Sequence, residues 1–320
     1  MVAGMHVSDN KDAVLAQHAY GKDRIRVVKV VRDHHPVHHV HDLDIGVLLT
    51  GYTSLVTSYT HADNSLVVAT DTIKNIVNLR CYSSPYTGTP ELLALDLARF
   101  FLDTYAHIDQ THVSVTLNIW DRIVVNDAEH PHAFKQNTGE TRMVRLTLER
   151  PLSGQSAYHC SKLESSLQNL VVLKTTESSF SGFHQDQYRT LPDAADRILS
   201  TKIDCRWSIP PKGLSLSQLF GIDWDAVYHI VKSVTLTRFA VDNSPSVQGT
   251  LWEMAVEILA KVPKEIFQIY YSLPNRHVFA IDLSKWGIKN EGPTATLFKP
   301  LEDPNGLITA VVARPSLSKL

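Results

Sequence analysis

The chain has 320 residues, of which 43% are hydrophobic and 20% charged, so it can bury one large core or two ordinary cores and is not disordered. A formal net charge of -2 argues against nucleic acid as a partner, because proteins that neutralise phosphates need a basic face. The three cysteines lack the paired spacing of a zinc site, and no apolar run approaches the roughly 18 residues that span a bilayer.

The first half of the chain has a strand and helix pattern of the order β-β-α-α-β-β. β-branched residues alternate from 23 to 50 around a His-His-Pro sequence at 34–36, which predicts a β-hairpin. One helix is predicted to begin at Thr70 and another at Pro90, where apolar residues recur at helical spacing. Further strands are predicted at 55–59, 66–69, 113–120 and 143–149.

The second half repeats this order, with helices predicted at about 225–239 and from about 246. Its strands are predicted at 169–175, 203–207, 266–273, 277–283, 294–299 and 307–313. Antiparallel hairpins with helices on one face make an α+β architecture, whose other face and edges oligomerisation would bury. We predict an N-terminal extension at 1–18, two domains at 19–150 and 151–313, and a tail at 314–320.

The most informative short stretch runs from 67 to 75 and reads Val-Val-Ala-Thr-Asp-Thr-Ile-Lys-Asn. Its apolar run ends at Thr70 and Asp71, so we expect a strand to stop where a helix begins. A side-chain oxygen here can cap the unpaired amides of the first helical turn, which is the ordinary interpretation. Free amides at a helix start can also bind an anion, which makes this junction a candidate site.

Four further short segments combine polar and aromatic residues in a way that a purely structural core would not require. They are Tyr-Gly-Lys-Asp at 20–23, Phe-Ser-Gly-Phe at 180–183 with Asp-Arg-Ile-Leu-Ser-Thr at 196–201, Ser-Val-Gln at 246–248, and Ser-Leu-Pro-Asn-Arg-His at 272–277. Together with the junction, in this order and spacing, they resemble the urate oxidase (uricase) family. The resemblance extends from about residue 20 to residue 314.

The resemblance implies a tandem pair of tunnelling-fold (T-fold) domains, assembled as a homotetramer into a tunnel-forming barrel. It also implies oxidation of urate by O2 and water to 5-hydroxyisourate and hydrogen peroxide, with neither a metal nor an organic cofactor. A doubly deprotonated urate is electron-rich enough to reduce oxygen directly. The protein would therefore remove a proton, orient the purine and stabilise reduced oxygen.

The resemblance assigns catalytic roles to four positions. Lys22, Thr70 and His277 match the proton relay of the family, and Asn275 with Thr70 would hold the water or oxygen species above the purine. Asn275 and His277 are two residues apart in a predicted strand, so their side chains would share one face. Taken alone, Lys22 is more simply a solvated lysine and Asn275 a turn residue.

The resemblance assigns substrate binding to a second set of residues. Phe180 would stack on the purine, Arg197 would donate two parallel hydrogen bonds, and Gln248 would match the opposite edge of the ring. The backbone amides of Asp71 and Val247 are implied ligands as well. Taken alone, Phe180 could equally be a core aromatic and Gln248 a surface amide.

The family builds its site where two subunits meet, so we expect the site to draw on two chains. Lys22, Thr70 and Asp71 would come from one chain, and its neighbour would supply Phe180, Arg197, Val247 and Gln248. Two other functions stay open at this point. One is a purine- or pterin-processing hydrolase of the same fold, although such enzymes lack this Lys-Thr-His set. The other is a non-catalytic purine-binding or structural peroxisomal protein, against which the intact catalytic positions argue.

Two remaining features concern metals and location. Histidines at 34–41 and 130–132 could suggest a metal, but no carboxylate or cysteine completes a coordination set there. The final residues Ser318, Lys319 and Leu320 match the signal that the peroxisomal import receptor reads. We therefore expect a peroxisomal protein with no bound metal, no membrane contact and no nucleic-acid partner.

Overall fold

The computed structural model describes residues 13–151, 157–301 and 303–315 and divides the chain into two units. Unit 1 comprises the described residues up to Ser165 together with Pro211–Trp224, and unit 2 comprises Ser166–Pro210 and the residues from Asp225 onwards. Each unit has antiparallel strands with helices on one side, which confirms the α+β class. The predicted boundary between residues 150 and 151 stays a prediction.

Unit 1 begins with a long antiparallel hairpin and continues with helices before its next strands. The strand order in unit 1 is β1-β2-β3-β4, and β7 pairs with the beginning of β5. Strand β5 belongs to both units, because the division between them falls after Ser165. The elements are β1 (Tyr20–His34), β2 (Val37–Thr50), α1 (Val56–Thr60), α2 (Thr70–Ser83), α3 (Pro90–Thr104), β3 (Gln110–Val125), β4 (Ala128–Glu149), β5 (His159–Lys174), β7 (Leu214–Ser215) and α4 (Leu216–Phe220).

Unit 2 places β8 between β6 and β11, and β9 pairs with β10 in a separate two-stranded sheet. Helix α6 packs on β8 and β11, and its buried face is the predicted one, including Leu251, Met254 and Ile258. The elements are β6 (Leu199–Ser208), α5 (Trp224–Val241), α6 (Val247–Lys261), β8 (Gln268–Asn275), β9 (Val278–Ala280), β10 (Phe298–Pro300) and β11 (Gly306–Ala313).

The core of unit 1 follows from alternation in β2 and a helical stripe in α3. Leu43, Ile45 and Val47 are completely buried and point to one face of the sheet because they are two residues apart. Helix α3 packs on β3 and β4 through a stripe that includes Leu97 and Phe101. In the described part of the chain, no helix combines the length and apolarity needed to cross a membrane.

Two predicted strands before α2 are wrong. Residues 56–60 form α1 instead, because Ser58 and Thr60 donate their hydroxyls to the backbone carbonyls of Leu55 and Val56 and so favour a local turn. Residues 66–69 have no strand pairing, and the backbone N–H of Val68 donates to the Tyr20 hydroxyl instead.

Other expectations were met to different extents. The hairpin around 34–36 and the helices beginning at Thr70 and Pro90 are confirmed. The strands expected at 277–283 and 294–299 shrink to the three-residue strands β9 and β10. The targeting residues Ser318, Lys319 and Leu320, and the first twelve residues of the extension, lie outside the described residues.

A buried ion pair fixes the start of α3 against the sheet of unit 1. The Arg142 guanidinium donates to both carboxylate oxygens of Glu91, at 2.6 Å from Nη2 and 3.3 Å from Nε, and the Ser165 hydroxyl donates to Glu91 at 2.7 Å. Glu91 is completely buried. Since the pair is removed from water, losing one partner leaves an uncompensated charge in the core.

We therefore predict that Arg142→Met lowers the free energy of unfolding by about 3–5 kcal/mol, measured by urea denaturation. The matched control is Arg99→Met, which breaks the exposed pair between Arg99 and Asp103 on the surface of α3. That control should cost at most about 1 kcal/mol. Equal losses in the two variants would contradict the role assigned to the buried pair.

Candidate functional site

The predicted site residues of unit 1 lie on β1 and at the start of α2, and we name Lys22, Thr70 and Asp71 the unit 1 cluster. All three side chains are exposed in this chain. Lys22 pairs with Val47 of β2, and the register shifts between Lys22 and Ile25. A bulge directly after Lys22 changes the direction of the strand there, as bulges beside functional sites commonly do.

Helix α2 begins at Thr70, as predicted, but neither Thr70 nor Asp71 caps it. The N-cap residue is Ala69, and no side chain caps this helix start. The ordinary interpretation of the junction as an N-cap is therefore wrong. The amides of the first turn have no intrahelical acceptors, so this end of α2 can accept an anion.

The charge on Lys22 acts on Asp71, which places the two side chains in one electrostatic environment. The pKa of the Asp71 carboxyl is lowered, first by the hydrogen bond and charge of Lys74, then by the Asn75 amide at 3.0 Å, and finally by the charge of Lys22. The side chain of Asp71 is thus engaged within α2, by Lys74 and Asn75. The role expected for its backbone amide stays a prediction.

The predicted residues of unit 2 are Phe180, Arg197, Val247, Gln248, Asn275 and His277, which we name the unit 2 cluster. Two backbone hydrogen bonds, at 2.8 and 2.9 Å, join Phe180 to Ala194. Because Ala194 lies three residues before Arg197, these bonds hold the Phe180 loop against the segment that leads to Arg197. The Arg197 guanidinium carbon lies 5.1 Å from the centre of the Phe180 ring. The structure therefore brings these two residues together.

Arg197 has unused hydrogen-bonding capacity. Its Nε atom is buried and has no hydrogen-bond partner among the described residues. Burial lowers the pKa of the guanidinium, since the charged form loses hydration. A buried donor without a partner is costly, and an anion placed over the Phe180 ring would satisfy it.

Val247 and Gln248 are the first two residues of α6. The Ser246 hydroxyl caps this helix by accepting the Gly249 N–H at 3.1 Å, which leaves the amides of Val247 and Gln248 at the helix start. Val247 is buried and Gln248 is exposed. Each unit thus has its own helix start among the predicted residues, that of α2 without a side-chain cap and that of α6 with a serine cap.

Backbone contacts connect the start of α6 to the Phe180 loop. Ser244, two residues before the Ser246 cap, accepts the Ser179 N–H at 2.8 Å and donates its own N–H to Glu177 at 2.9 Å. The buried Ser244 hydroxyl also accepts from Thr250 of α6 at 2.7 Å. The residues directly before Phe180 are therefore tied to the segment that presents Val247 and Gln248.

Asn275 and His277 are brought together, although not in the way predicted. Asn275 is the buried last residue of β8, whereas His277 lies in the short connection to β9 and is not in a strand. Both side chains lie beside Gly306 of β11, where an added Cβ would lie 3.9 Å from Asn275 Cβ and 4.0 Å from His277 Nε2. The Arg276 N–H donates to the Ser200 carbonyl of β6 at 2.8 Å, one residue beyond the pairing of Asn275 with Thr201.

Sequence reasoning gave no role to Phe183, which contacts Phe180, or to Arg189, which contacts Phe183. The rings of Phe180 and Phe183 stack, with centroids 4.8 Å apart and an interplanar angle of 10°. The Arg189 guanidinium carbon lies 5.0 Å from the Phe183 ring centre. The repeated phenylalanine in Phe-Ser-Gly-Phe was the available signal, and the stacked Phe183 ring restricts the orientation of Phe180.

The histidines of the described residues are not arranged as a metal centre. Across 13–151, 157–301 and 303–315, no group of three or more His, Cys, Asp or Glu side chains is arranged to hold a metal ion. His38 and His132 lie near each other, with ring centroids 5.8 Å apart. The pKa of His38 is lowered, first by partial desolvation and then by the charge of Arg32.

Comparisons with known proteins agree on one family. The family model described as Uricase matches residues 18–147 and 163–309. The uricase of Aspergillus flavus is 42% identical over 306 residues, covering 94% of this chain and 97% of that protein. The uricase of Schizosaccharomyces pombe is 39% identical over 301 residues, covering 93% and 97%. The crystal structure of uricase from Arthrobacter globiformis matches with a TM-score of 0.80 and 34% identity, covering 94% of this chain and 95% of that chain.

Proposed function

Because the chain belongs to the uricase family and is an oxidoreductase of the urate oxidase type, we propose that it converts urate, O2 and water to 5-hydroxyisourate and hydrogen peroxide. The observation that carries this proposal is the Arg197 guanidinium over the Phe180 ring, with a buried Nε that lacks a partner in the described chain. Urate is flat and anionic. It can therefore stack on Phe180 while it pairs in plane with the guanidinium fork.

Gln248 and the two helix starts complete the proposed recognition of urate. The Gln248 amide has both a donor and an acceptor, which suits the polar edge of the purine opposite Arg197. The backbone amides of Asp71 and Val247 would donate to the anion from the first turns of α2 and α6. Neutral amides and one guanidinium together match a planar anion with several acceptors.

We propose that Lys22, Thr70 and His277 move the proton that urate must lose. A lysine acts as a base only where its neutral form is favoured by burial or a neighbouring charge, and Lys22 is exposed in this chain. The proposal therefore requires that a second subunit cover Lys22. Asn275, which lies near His277, would hold the water or oxygen species with Thr70.

We propose that the reaction uses no metal and no organic cofactor. Once urate has lost its proton, it can transfer electrons to O2 itself, so the protein needs to supply only orientation, proton transfer and stabilisation of reduced oxygen. Two electrons leave urate and reduce O2 to hydrogen peroxide. Water then supplies the hydroxyl group of 5-hydroxyisourate.

Purified protein mixed with urate in air should remove the ultraviolet absorbance of urate and release hydrogen peroxide. Lys22→Met and Thr70→Ala should lower kcat by about a hundredfold or more with a much smaller change in KM, because they remove proton transfer and keep the unit 2 cluster. Lys29→Met is the matched control on the same strand, where Lys29 donates to the Ser84 carbonyl at 2.8 Å. Tight urate binding with unchanged absorbance would instead identify a binding protein without catalysis.

We further propose that the chain forms a homotetramer whose sites combine the unit 1 cluster of one subunit with the unit 2 cluster of its neighbour. The exposure of Lys22, Thr70, Asp71 and Gln248 supports this arrangement, since residues that bind a ligand tightly are usually shielded from water.

This arrangement predicts complementation between two inactive variants. Lys22→Met chains and Arg197→Gln chains, mixed in equal amounts by unfolding and reassembly, should regain about a quarter of wild-type activity, because about one site in four then receives both intact clusters. Each variant reassembled alone is the control and should stay inactive. No recovery in the mixture, with tetramers confirmed by light scattering, would show that each site uses a single chain.

The terminal residues Ser318, Lys319 and Leu320 support the proposal that the protein is imported into peroxisomes, where hydrogen peroxide is normally handled. The full chain should co-localise with a peroxisomal marker, and uniform cytosolic staining would contradict this proposal.

A further inference from the structure

Tyr20, the first residue of β1, makes a hydrogen bond that connects this strand to the segment before α2. Its hydroxyl oxygen accepts the backbone N–H of Val68 at 2.7 Å. Val68 is buried and lies two residues before Thr70, in the stretch that has no strand pairing. The Tyr20 hydroxyl therefore supplies the acceptor that a neighbouring strand would otherwise provide.

Tyr20 and Lys22 also lie on the same face of β1. The two residues pair with Leu49 and Val47 in regular register, so their side chains leave the same face of β1. Between them, a Cβ on Gly21 would overlap the carbonyl oxygen of Val47, which means that only glycine allows this close approach of the strands. Lys22 and Tyr20, whose hydroxyl accepts the Val68 N–H, therefore lie together on a closely paired part of β1.

The helix itself is anchored to β1 in another way. Helix α2 packs on β1 through the buried residues Ile73, Val77 and Cys81, the first of which lies three residues after Thr70. The start of α2 has no side-chain cap, and Thr70 itself is exposed, so packing of the Thr70 side chain does not hold it in place. Among the described residues, the Tyr20 hydrogen bond is the side-chain contact to the backbone of 67–69.

We propose that Tyr20 is a positioning residue for the oxidation, which sets the place of Thr70 relative to Lys22 through the backbone of Val68. Tyr20 acts through Thr70 and does not contact the substrate. This inference rests on the proposed function. It gives the Tyr-Gly-Lys sequence a physical meaning, in which the tyrosine fixes the helix start, the glycine permits close strand pairing and the lysine takes part in proton transfer.

The test is Tyr20→Phe, which removes only the hydroxyl. The variant should fold with a far-ultraviolet circular dichroism spectrum like that of wild type, and kcat for urate should fall by about tenfold or more because the relay groups are misplaced. KM should change less, since Phe180, Arg197 and Gln248 are unaffected. The matched control is Tyr59→Phe, the same change at an exposed tyrosine near Tyr20, which should keep wild-type kcat.

A double variant separates positioning from general destabilisation. If Tyr20 acts through Thr70, then Tyr20→Phe combined with Thr70→Ala should be no slower than Thr70→Ala alone. Wild-type kcat in Tyr20→Phe would overturn the proposal. So would a double variant slowed by the full factor of each change, or a Tyr20→Phe protein that does not fold. Wild-type protein that fails to oxidise urate would overturn the proposed function and this inference together.

Discussion

The first turn of an α-helix leaves backbone N–H groups that the helix cannot pair within itself, and this constraint organises both clusters. Helix α2 begins at Thr70 with no side-chain cap. Helix α6 has one cap, from Ser246 to the Gly249 N–H, which leaves the amides of Val247 and Gln248 at its start. Because the positive end of the helix dipole lies at these positions, each unit offers an anion a place to bind.

Two arginines of the chain, Arg142 and Arg197, lie in two different environments. Arg142 and Glu91 are buried together and satisfy each other, so their pairing serves the fold of unit 1. Arg197 is partly buried against an aromatic ring, and in the described chain its Nε has no partner. Retaining a desolvated donor without a partner costs stability, and such costs are typical of sites that await a ligand. Binding of a planar anion would offset that cost.

Much of the fold could be predicted from local patterns, for identifiable reasons. The hairpin around 34–36 and the helix from Pro90 have strong alternation or helical spacing, and both are confirmed. The apolar residues at 66–69 gave a false strand signal. The Val67 N–H bonds the Asn64 carbonyl, and the Val68 N–H bonds the hydroxyl of Tyr20, a residue 48 positions away. A pattern within a short window cannot show which distant side chain will supply an acceptor.

The candidate site shows the same division between local and long-range information. The residues themselves were predicted from motifs, and the structure brings Phe180 to Arg197, and Asn275 to His277. The reason given for the Asn275 and His277 pair was wrong, because the chain leaves β8 at Asn275 and the two residues do not share a strand. The stacking of Phe183 on Phe180 depends on a loop conformation that no periodicity encodes.

The central claim is that the starts of α2 and α6 bind one flat anion between two subunits. It is tested most directly by a crystal structure of the assembled protein with a urate analogue that resists oxidation. The account predicts an analogue stacked on Phe180, with Arg197 and Gln248 at opposite edges and with the Asp71 amide of a neighbouring subunit within hydrogen-bond distance. An analogue that contacts only one of the two helix starts, or that binds away from both, would contradict the account.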